Sequence, residues 1–501
     1  MEETSTAAGR RPGSWQRQGG RHRWWEGAGG EALREAVSAP EPGWVAVQGP
    51  LGSGKSSLLA SVLAERPAVC LQVSPLSDGD LLDDFRGVLE EALGELPLPT
   101  GPGVLPDPDG RPGWRSLLLG LVDRASAHGR PLVLGLDGWE ALVSARRKIT
   151  SELAEALERA HGRGAPLRVV LTLESSGGDG GVEGLPPPAA VVRVGPLPLR
   201  DAGRAQGGKD ARDAFLRWAC LGDHPDHLPT GDPGSDWEEA LLRRVLSPGG
   251  DLHDAPLRRL AMAFQRPERY GSLLRALAHG PLDWAELRRR TRGIESGGQM
   301  APYLRRLEEM GMARTLRPLG APAGSRNRRY RLTDPFLAFW FSSVLPVRSH
   351  LLTESPEEVW ARRVRPRLAG HLARWLPVAA AQWFVRHASE RLPAAGRQVG
   401  GFWGAETEFQ VVSWLTNGQI CYVATVWSEG PVGAQAFDDL KRRMKRTRYG
   451  IGREARTPVL VVPGGMDEEL RRRIAADPLA TALDLEDLMG DPMAVGEASP
   501  R

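Results

Sequence analysis

Two hydrophobic rhythms alternate along the first 200 residues. Short apolar runs of strand type at 44–48, 68–73, 131–137, 167–173 and 189–194 are separated by stretches with apolar residues at helical spacing, at 31–37, 57–64, 81–93 and 114–128. The run Pro131-Leu132-Val133-Leu134-Gly135-Leu136-Asp137 does not alternate. Continuous apolarity predicts a strand buried on both faces, as in a parallel sheet between helical layers. Strands alternating with helices therefore predict a doubly wound, mostly parallel α/β sheet. The Pro- and Gly-dense segments 97–113 and 175–188 read as loops.

Beyond residue 200 the rhythm turns helical. The stretches 211–220, 236–246 and 257–264 predict a helical lid, assigned to 201–267 after a sheet domain at 26–200. Within 268–343, helices are expected at 270–278, 282–290 and 297–310, with Asp283 as an N-cap and Gly311 closing the third. Two short strands, 313–317 and 328–332, follow around a Gly/Pro/Ser turn, and three helices with a β-hairpin predict a winged helix. In the last unit, 344–485, helices at 357–375 and 378–387 precede strands at 408–414 and 419–427. Asn417-Gly418 between these strands is a hairpin signal. A basic helix at 434–448, read as a solvated face, and a buried strand at 458–462 complete the unit. Residues 1–25 read as a disordered basic arm and 486–501 as a frayed tail.

The chemistry concentrates at Gly49-Pro50-Leu51-Gly52-Ser53-Gly54-Lys55-Ser56, which fits G-x-x-x-x-G-K-[ST] between a strand and a helix. Glycines let the backbone approach an anion, and the amides at a helix N-terminus favour negative charge. Gly49, Gly52, Ser53, Gly54, Lys55, Ser56 and Ser57 are thus candidate nucleotide-binding residues. Lys55 is expected to reach the β- and γ-phosphates and Ser56 to ligate Mg²⁺. Asp137, ending an apolar strand, is the expected second holder of Mg²⁺. Glu140 is a candidate for orienting or deprotonating the attacking water. Thr172, at the end of its strand, is a candidate γ-phosphate sensor. Hydrolysis itself is left open.

Composition narrows the setting. A net charge of +3 is too small to imply nucleic acid by itself, and the 16 tryptophans are scattered, as core residues would be. Cys70, Cys220 and Cys421 share no metal spacing and point to a reducing, cytoplasmic setting. No apolar run is long enough to span a bilayer, so no membrane partner is expected. His224-Pro225-Asp226-His227 lies in a Pro/Gly/Asp-rich loop without further ligands and is not read as a metal site. The hairpin arginines Arg326, Arg328, Arg329 and Arg331 are the candidate DNA contacts; protein partners and self-association stay open.

With these units in order, residues 30–470 resemble the archaeal-type ATPases of the STAND group, P-loop proteins of the broad AAA-related class. The resemblance is carried by Met300-Ala301-Pro302-Tyr303-Leu304-Arg305-Arg306-Leu307-Glu308-Glu309-Met310-Gly311 and by Tyr330-Arg331-Leu332-Thr333-Asp334-Pro335-Phe336-Leu337-Ala338-Phe339-Trp340-Phe341. It implies ATP and Mg²⁺ as ligands and a terminal domain similar to PD-(D/E)xK, restriction-endonuclease-like nucleases. Two departures stand out. Gly138 occupies the place of the family's catalytic Glu, and Asp137-Gly138-Trp139-Glu140 is similar to the NACHT-type pattern, which gives Glu140 the base's role. In the terminal unit the family's metal-binding residues correspond to Gln410, Ala424 and Val426, leaving Glu408 alone, and one carboxylate does not clamp a catalytic metal. A degenerate, inactive nuclease-like domain is expected.

Overall fold

The computed structural model describes residues 28–94, 112–128, 131–174, 180–234, 236–294, 297–322, 324–404, 406–447, 449–450 and 455–490. The basic arm, most of the 97–113 loop, part of the 175–188 loop and residues 491–501 lie outside them.

The first sheet holds β1 (Gly43–Gln48), β2 (Ala68–Gln72), β3 (Leu132–Asp137), β4 (Leu167–Leu173) and β5 (Ala190–Arg193) in the order β2-β3-β4-β1-β5. Every pairing is parallel. β3 and β4 are buried along their whole length, as their unbroken apolarity requires. In β1 the pleat sorts the side chains. Val45 and Val47 join Leu58, Leu59 and Val62 of the helix Lys55–Leu63 on one face. Trp44 and Ala46 join the larger core under the helices Asp78–Leu93, Trp114–His128 and Ile149–Arg163 on the other. Because β4 lies between β1 and β3, the ends of all three strands converge behind the P-loop, the usual ligand position on such a sheet.

The lid comprises the helices Leu199–Ala205, Ala211–Leu221, Trp237–Leu241, whose last turn continues as a π-helical turn Leu242–Leu246, and Ala255–Ala263. Next come the helices Pro267–Leu277, Trp284–Arg290 and Gly297–Glu309 with a small antiparallel sheet, β6 (Leu282–Asp283), β7 (Ala313–Leu316) and β8 (Arg329–Leu332), ordered β6-β8-β7. Acidic caps punctuate the chain as propensity dictates. Asp210, Asp236, Asp283, Asp334, Asp467 and Asp484 each accept a backbone N–H of the helix that follows.

The third sheet, β9 (Gly396–Trp403), β10 (Glu408–Leu415), β11 (Ile420–Thr425), β12 (Arg456–Val461) and β13 (Thr481–Leu483), runs in the order β13-β12-β11-β10-β9. It is antiparallel through β9, β10 and β11 and parallel through β11, β12 and β13. The helix Gln435–Arg446 covers one face, where Phe437, Leu440 and Met444 are buried despite the basic residues between them. The long helix Arg365–Arg386 covers the other.

The expected boundaries at 267/268 and 343/344 do not divide the packing. One hydrophobic core runs from Leu197 through the lid, the three-helix unit and the long helix to one face of the third sheet, ending at Met489. The expected tail starts too early. Leu485–Met489 is a capped helix whose Leu485, Leu488 and Met489 are buried in that same core. Met489 approaches so closely that a Cβ on Gly203 would sit 2.6 Å from its Cε. The chain's described C-terminus is thus tied to the lid.

Candidate functional site

The P-loop follows β1 and is anchored to β4 by the Gly49 N–H, which donates to the Leu173 carbonyl at 3.1 Å. Gly52 (φ +75°) and Gly54 (φ +85°) take left-handed conformations that β-carbon-bearing residues rarely adopt, and the helix begins at Lys55. Its N-terminal amides and macrodipole form an anion-binding end. Lys55 is buried, and its Nζ donates to the carbonyls of Gly49 and Pro50, both at 2.9 Å. Burial lowers its pKa below the ordinary lysine range, while the carboxylates of Glu174, Glu140, Asp137 and Asp226 oppose that shift. The Ser53 hydroxyl is buried and has no partner among the described residues.

Asp137 ends β3 and is buried. Its Oδ1 accepts from the Thr172 hydroxyl at 2.8 Å, and that hydroxyl in turn accepts from the Gly138 N–H at 2.7 Å. The Thr172 hydroxyl thereby orients the Asp137 carboxylate. Glu140 stands in the first turn of Trp139–Ala145, and its Oε1 accepts from the Glu174 N–H at 2.8 Å. Desolvation raises its carboxyl above the usual range, opposed by that hydrogen bond and by Lys55. Lys55, Asp137, Thr172 and Glu140 are thus brought to one end of the sheet. Ser56 and Ser57 are exposed in the first turn of the P-loop helix.

The residues present fit a magnesium nucleotide. Ser56 and Asp137 are the oxygen donors that could hold Mg²⁺, with Asp137 fixed by Thr172. Among the described residues, no group of three or more His, Cys, Asp or Glu is arranged to hold an ion. Mg²⁺ commonly uses one or two carboxylates together with phosphate oxygens and water.

The lid supplies contacts to the phosphate loop that the sequence pattern does not indicate. Arg259, on the helix Ala255–Ala263, reaches back to donate to the P-loop carbonyl of Leu51 at 3.0 Å and meets His224 Nε2 at 3.3 Å. Asp226 presses its carboxylate on Gly52, where a Cβ would sit 1.7 Å from Oδ2. Behind them, Asp223, which accepts from the Trp218 indole at 3.3 Å, His227 and Asp334 are buried. Burial raises both carboxyls; the Asp334 charge adds to the rise at Asp223, whereas Arg259 opposes the rise at Asp334. The His224–His227 turn is therefore a lid contact on the phosphate loop. Its local pattern suggests only the metal cluster set aside above, because its partners lie far away in sequence.

The hairpin arginines are also placed differently from expectation. Arg329 makes two hydrogen bonds to Glu408, at 2.6 and 3.0 Å, and its guanidinium lies 4.7 Å from the Trp403 ring centre. Arg331 lies 5.8 Å from the Trp375 ring centre, and burial lowers its pKa to about 9. Asn327 accepts from the Trp403 indole, and the Leu319 N–H donates to the Gly401 carbonyl. The hairpin is docked on β9, where it covers the edge of the third sheet. Of the four arginines proposed for DNA, Arg326 and Arg328 remain exposed, and Arg328 lies over Tyr330. Glu408, the one surviving acid of the nuclease pattern, is committed to Arg329. Continuing the β10–β11 register places Gln410 opposite Ala424, so no second acid stands across from it.

No protein-family model and no curated protein sequence matches the chain. The parallel sheet ordered β2-β3-β4-β1-β5, with the glycine-rich loop between β1 and the helix Lys55–Leu63, has the architecture of a P-loop fold; among solved structures the chain's overlaps are distant. A Walker-type ATPase of Pyrococcus abyssi is 18% identical with a TM-score of 0.44, covering 62% of this chain and 94% of that one. The Aeropyrum pernix ORC2 protein, in ADPNP–ADP complexes, is 14% identical with a TM-score of 0.36, covering 69% and 94%. Cdc6p from Pyrobaculum aerophilum is 13% identical with a TM-score of 0.28, covering 66% and 92%. No helix among the described residues is long and apolar enough to cross a membrane.

Proposed function

We propose that this chain binds Mg-ATP at Gly49–Ser57 and hydrolyses it slowly, as a switch of the STAND type. The observation that carries this reading is the continuity between site and output. Arg259 and Asp226 touch the phosphate loop, and both belong to a body whose single core extends to the third sheet. A ligand that contacts the lid differently in two states moves that entire body. In this reading the three helices and small sheet are a winged helix that serves for packing. The third sheet is a nuclease-like domain without its metal-binding residues, kept as a binding or scaffolding unit. A cytoplasmic setting and a protein partner for the output body belong to the same proposal.

When bound, Mg²⁺ supplies charge neutralisation for the phosphates. Lys55 binds phosphate oxygen, Thr172 fixes the Asp137 carboxylate, and Glu140, held by the Glu174 N–H, takes a proton from the attacking water. A base with a raised pKa suits that task at neutral pH. Turnover of the wild type is expected to be measurable but slow. Glu140→Gln is expected to lower it by about 100-fold, the lower end for a general base, with Mg-ATP affinity unchanged. Single-turnover phosphate release, with Glu174→Gln alongside, checks this. Equal turnover in Glu140→Gln and wild type removes Glu140 from the mechanism, and a wild type that binds no ATP removes the whole reading.

A further inference from the structure

Carboxylates gather around the P-loop lysine. Lys55 has four carboxylates as electrostatic neighbours, Glu174, Glu140, Asp137 and Asp226. The cations felt by Asp226 are Arg259 and Lys55. Carboxylates thus crowd a loop whose backbone is built for an anion, with a helix N-terminus, two left-handed glycines and the buried, unpartnered Ser53 hydroxyl, and burial accordingly raises the Asp226 and Glu140 carboxyls above their usual range. A polyphosphate adds further negative charge beside the Asp226 carboxylate that lies against Gly52.

Three of the carboxylates lie at the ends of β3 and β4, where Asp137 has its own task. The fourth comes from the lid. Asp226 sits on the three-residue turn Pro225–His227 and lies against Gly52 so closely that only glycine fits there: a Cβ would lie 1.7 Å from Oδ2 and 2.5 Å from Cγ. The turn is not free to swing aside. The Gln206 amide donates to the carbonyls of Gly222 and His227 at 3.2 and 3.1 Å, and Arg244 donates to His227 O at 2.7 Å while pairing with Asp251. A negative charge is thus held against the phosphate loop by a rigid support.

We propose that Asp226 is a selectivity residue of this site, a fixed lid carboxylate that makes nucleotide capture conditional on an accompanying divalent cation. Metal-free triphosphate meets this carboxylate and is rejected. Triphosphate carrying Mg²⁺ brings compensating charge and is accepted. The inference rests on the nucleotide-binding reading above and adds the source of its metal dependence.

The test is equilibrium binding of a fluorescent ATP analogue to the full chain, in excess Mg²⁺ and in excess EDTA. For wild type, Asp226→Asn and Asp226→Ser, the readout is the ratio of the two affinities. Both variants are expected to bind metal-free nucleotide about tenfold more tightly than wild type, with Mg-nucleotide affinity changed less than threefold. An unchanged ratio in both variants overturns the proposal, as does equal weakening in both buffers. Thermal melts identify a variant that fails to fold, and the other variant then decides. Lys55→Ala separates the two levels. If wild type binds Mg-nucleotide and Lys55→Ala does not, the site stands and the ratio alone judges Asp226. If wild type binds in neither buffer, the site reading has failed and the Asp226 proposal falls with it.

Discussion

Lys55→Ala is expected to weaken Mg-ATP binding by at least about 100-fold, roughly 2.7 kcal/mol, and to leave the fold intact. Lys55 is the P-loop's own buried cation, with Arg259 reaching in from the lid. A charge-assisted bond to phosphate is worth about 1.5–3 kcal/mol, and Lys55 stands ready for two oxygens, already holding the carbonyls of Gly49 and Pro50. Stability responds differently. Burial lowers the folded pKa of Lys55 below its ordinary value. The unfolded chain therefore binds this proton more tightly, and the charged lysine costs stability below the folded pKa. That cost is relieved as pH rises from the folded pKa toward the ordinary value of 10.5. Removing the ammonium removes the cost along with two hydrogen bonds, so the nucleotide-free melting temperature is expected to move little, within about 1 kcal/mol of stability. Isothermal titration with Mg-ATP together with thermal melts checks both halves. Nucleotide affinity unchanged in Lys55→Ala would remove the P-loop from the binding site.

What the sequence discloses about this site follows from the range of the interactions. β3 and the P-loop are legible because their signals are local: an unbroken apolar run ending in Asp137, and glycines at the turn positions. The cap at Asp283 works within one helical turn and is legible for the same reason. Arg259 is invisible because its partner Leu51 lies 208 residues away and a helical arginine has no local reason to face inward. The hairpin arginines show the same limit. Composition reports that residues 326–331 are basic. Only tertiary packing decides that Arg329 and Arg331, on one face of β8 with Tyr330 between them on the other, turn toward Trp403 and Trp375. β9 escaped notice because Gly396, Gly400 and Gly401 break its pattern. Gly396 packs where a Cβ would lie 2.1 Å from the Phe384 carbonyl, an approach only glycine tolerates.

Arg217→Ala is expected to be the most destabilising single change in the lid, by about 3–5 kcal/mol, the range for breaking a buried ion pair from one side. Arg217 is completely buried. Its Nε donates to Asp213 at 2.7 Å, Nη1 to the carbonyls of Gln206 and Pro233, and Nη2 to Gly234. Alanine leaves those carbonyls without this donor and the Asp213 carboxylate without its countercharge. Asp213 has no way to retreat, because it also accepts the backbone N–H groups of Lys209 and Trp237 and so joins two lid helices. The damage falls on one body. The first sheet has its own cores on its two faces, whereas Arg217 lies within the helices whose core extends to Met489. Calorimetry of the wild type is accordingly expected to show two transitions. Arg217→Ala should lower the one belonging to the lid and third sheet, and Mg-ATP should still raise the one belonging to the first sheet. Both transitions falling together would show that the two bodies unfold as one and that the cores are coupled more tightly than their separation implies. An unshifted scan would show that the Arg217 network contributes little. With the expected outcome, Arg217 also holds the Gln206 carbonyl beside the amide that supports the Asp226 turn. The same variant is then expected to loosen the lid's grip on the phosphate loop, read as a reduced difference between nucleotide-bound and nucleotide-free chains in limited proteolysis.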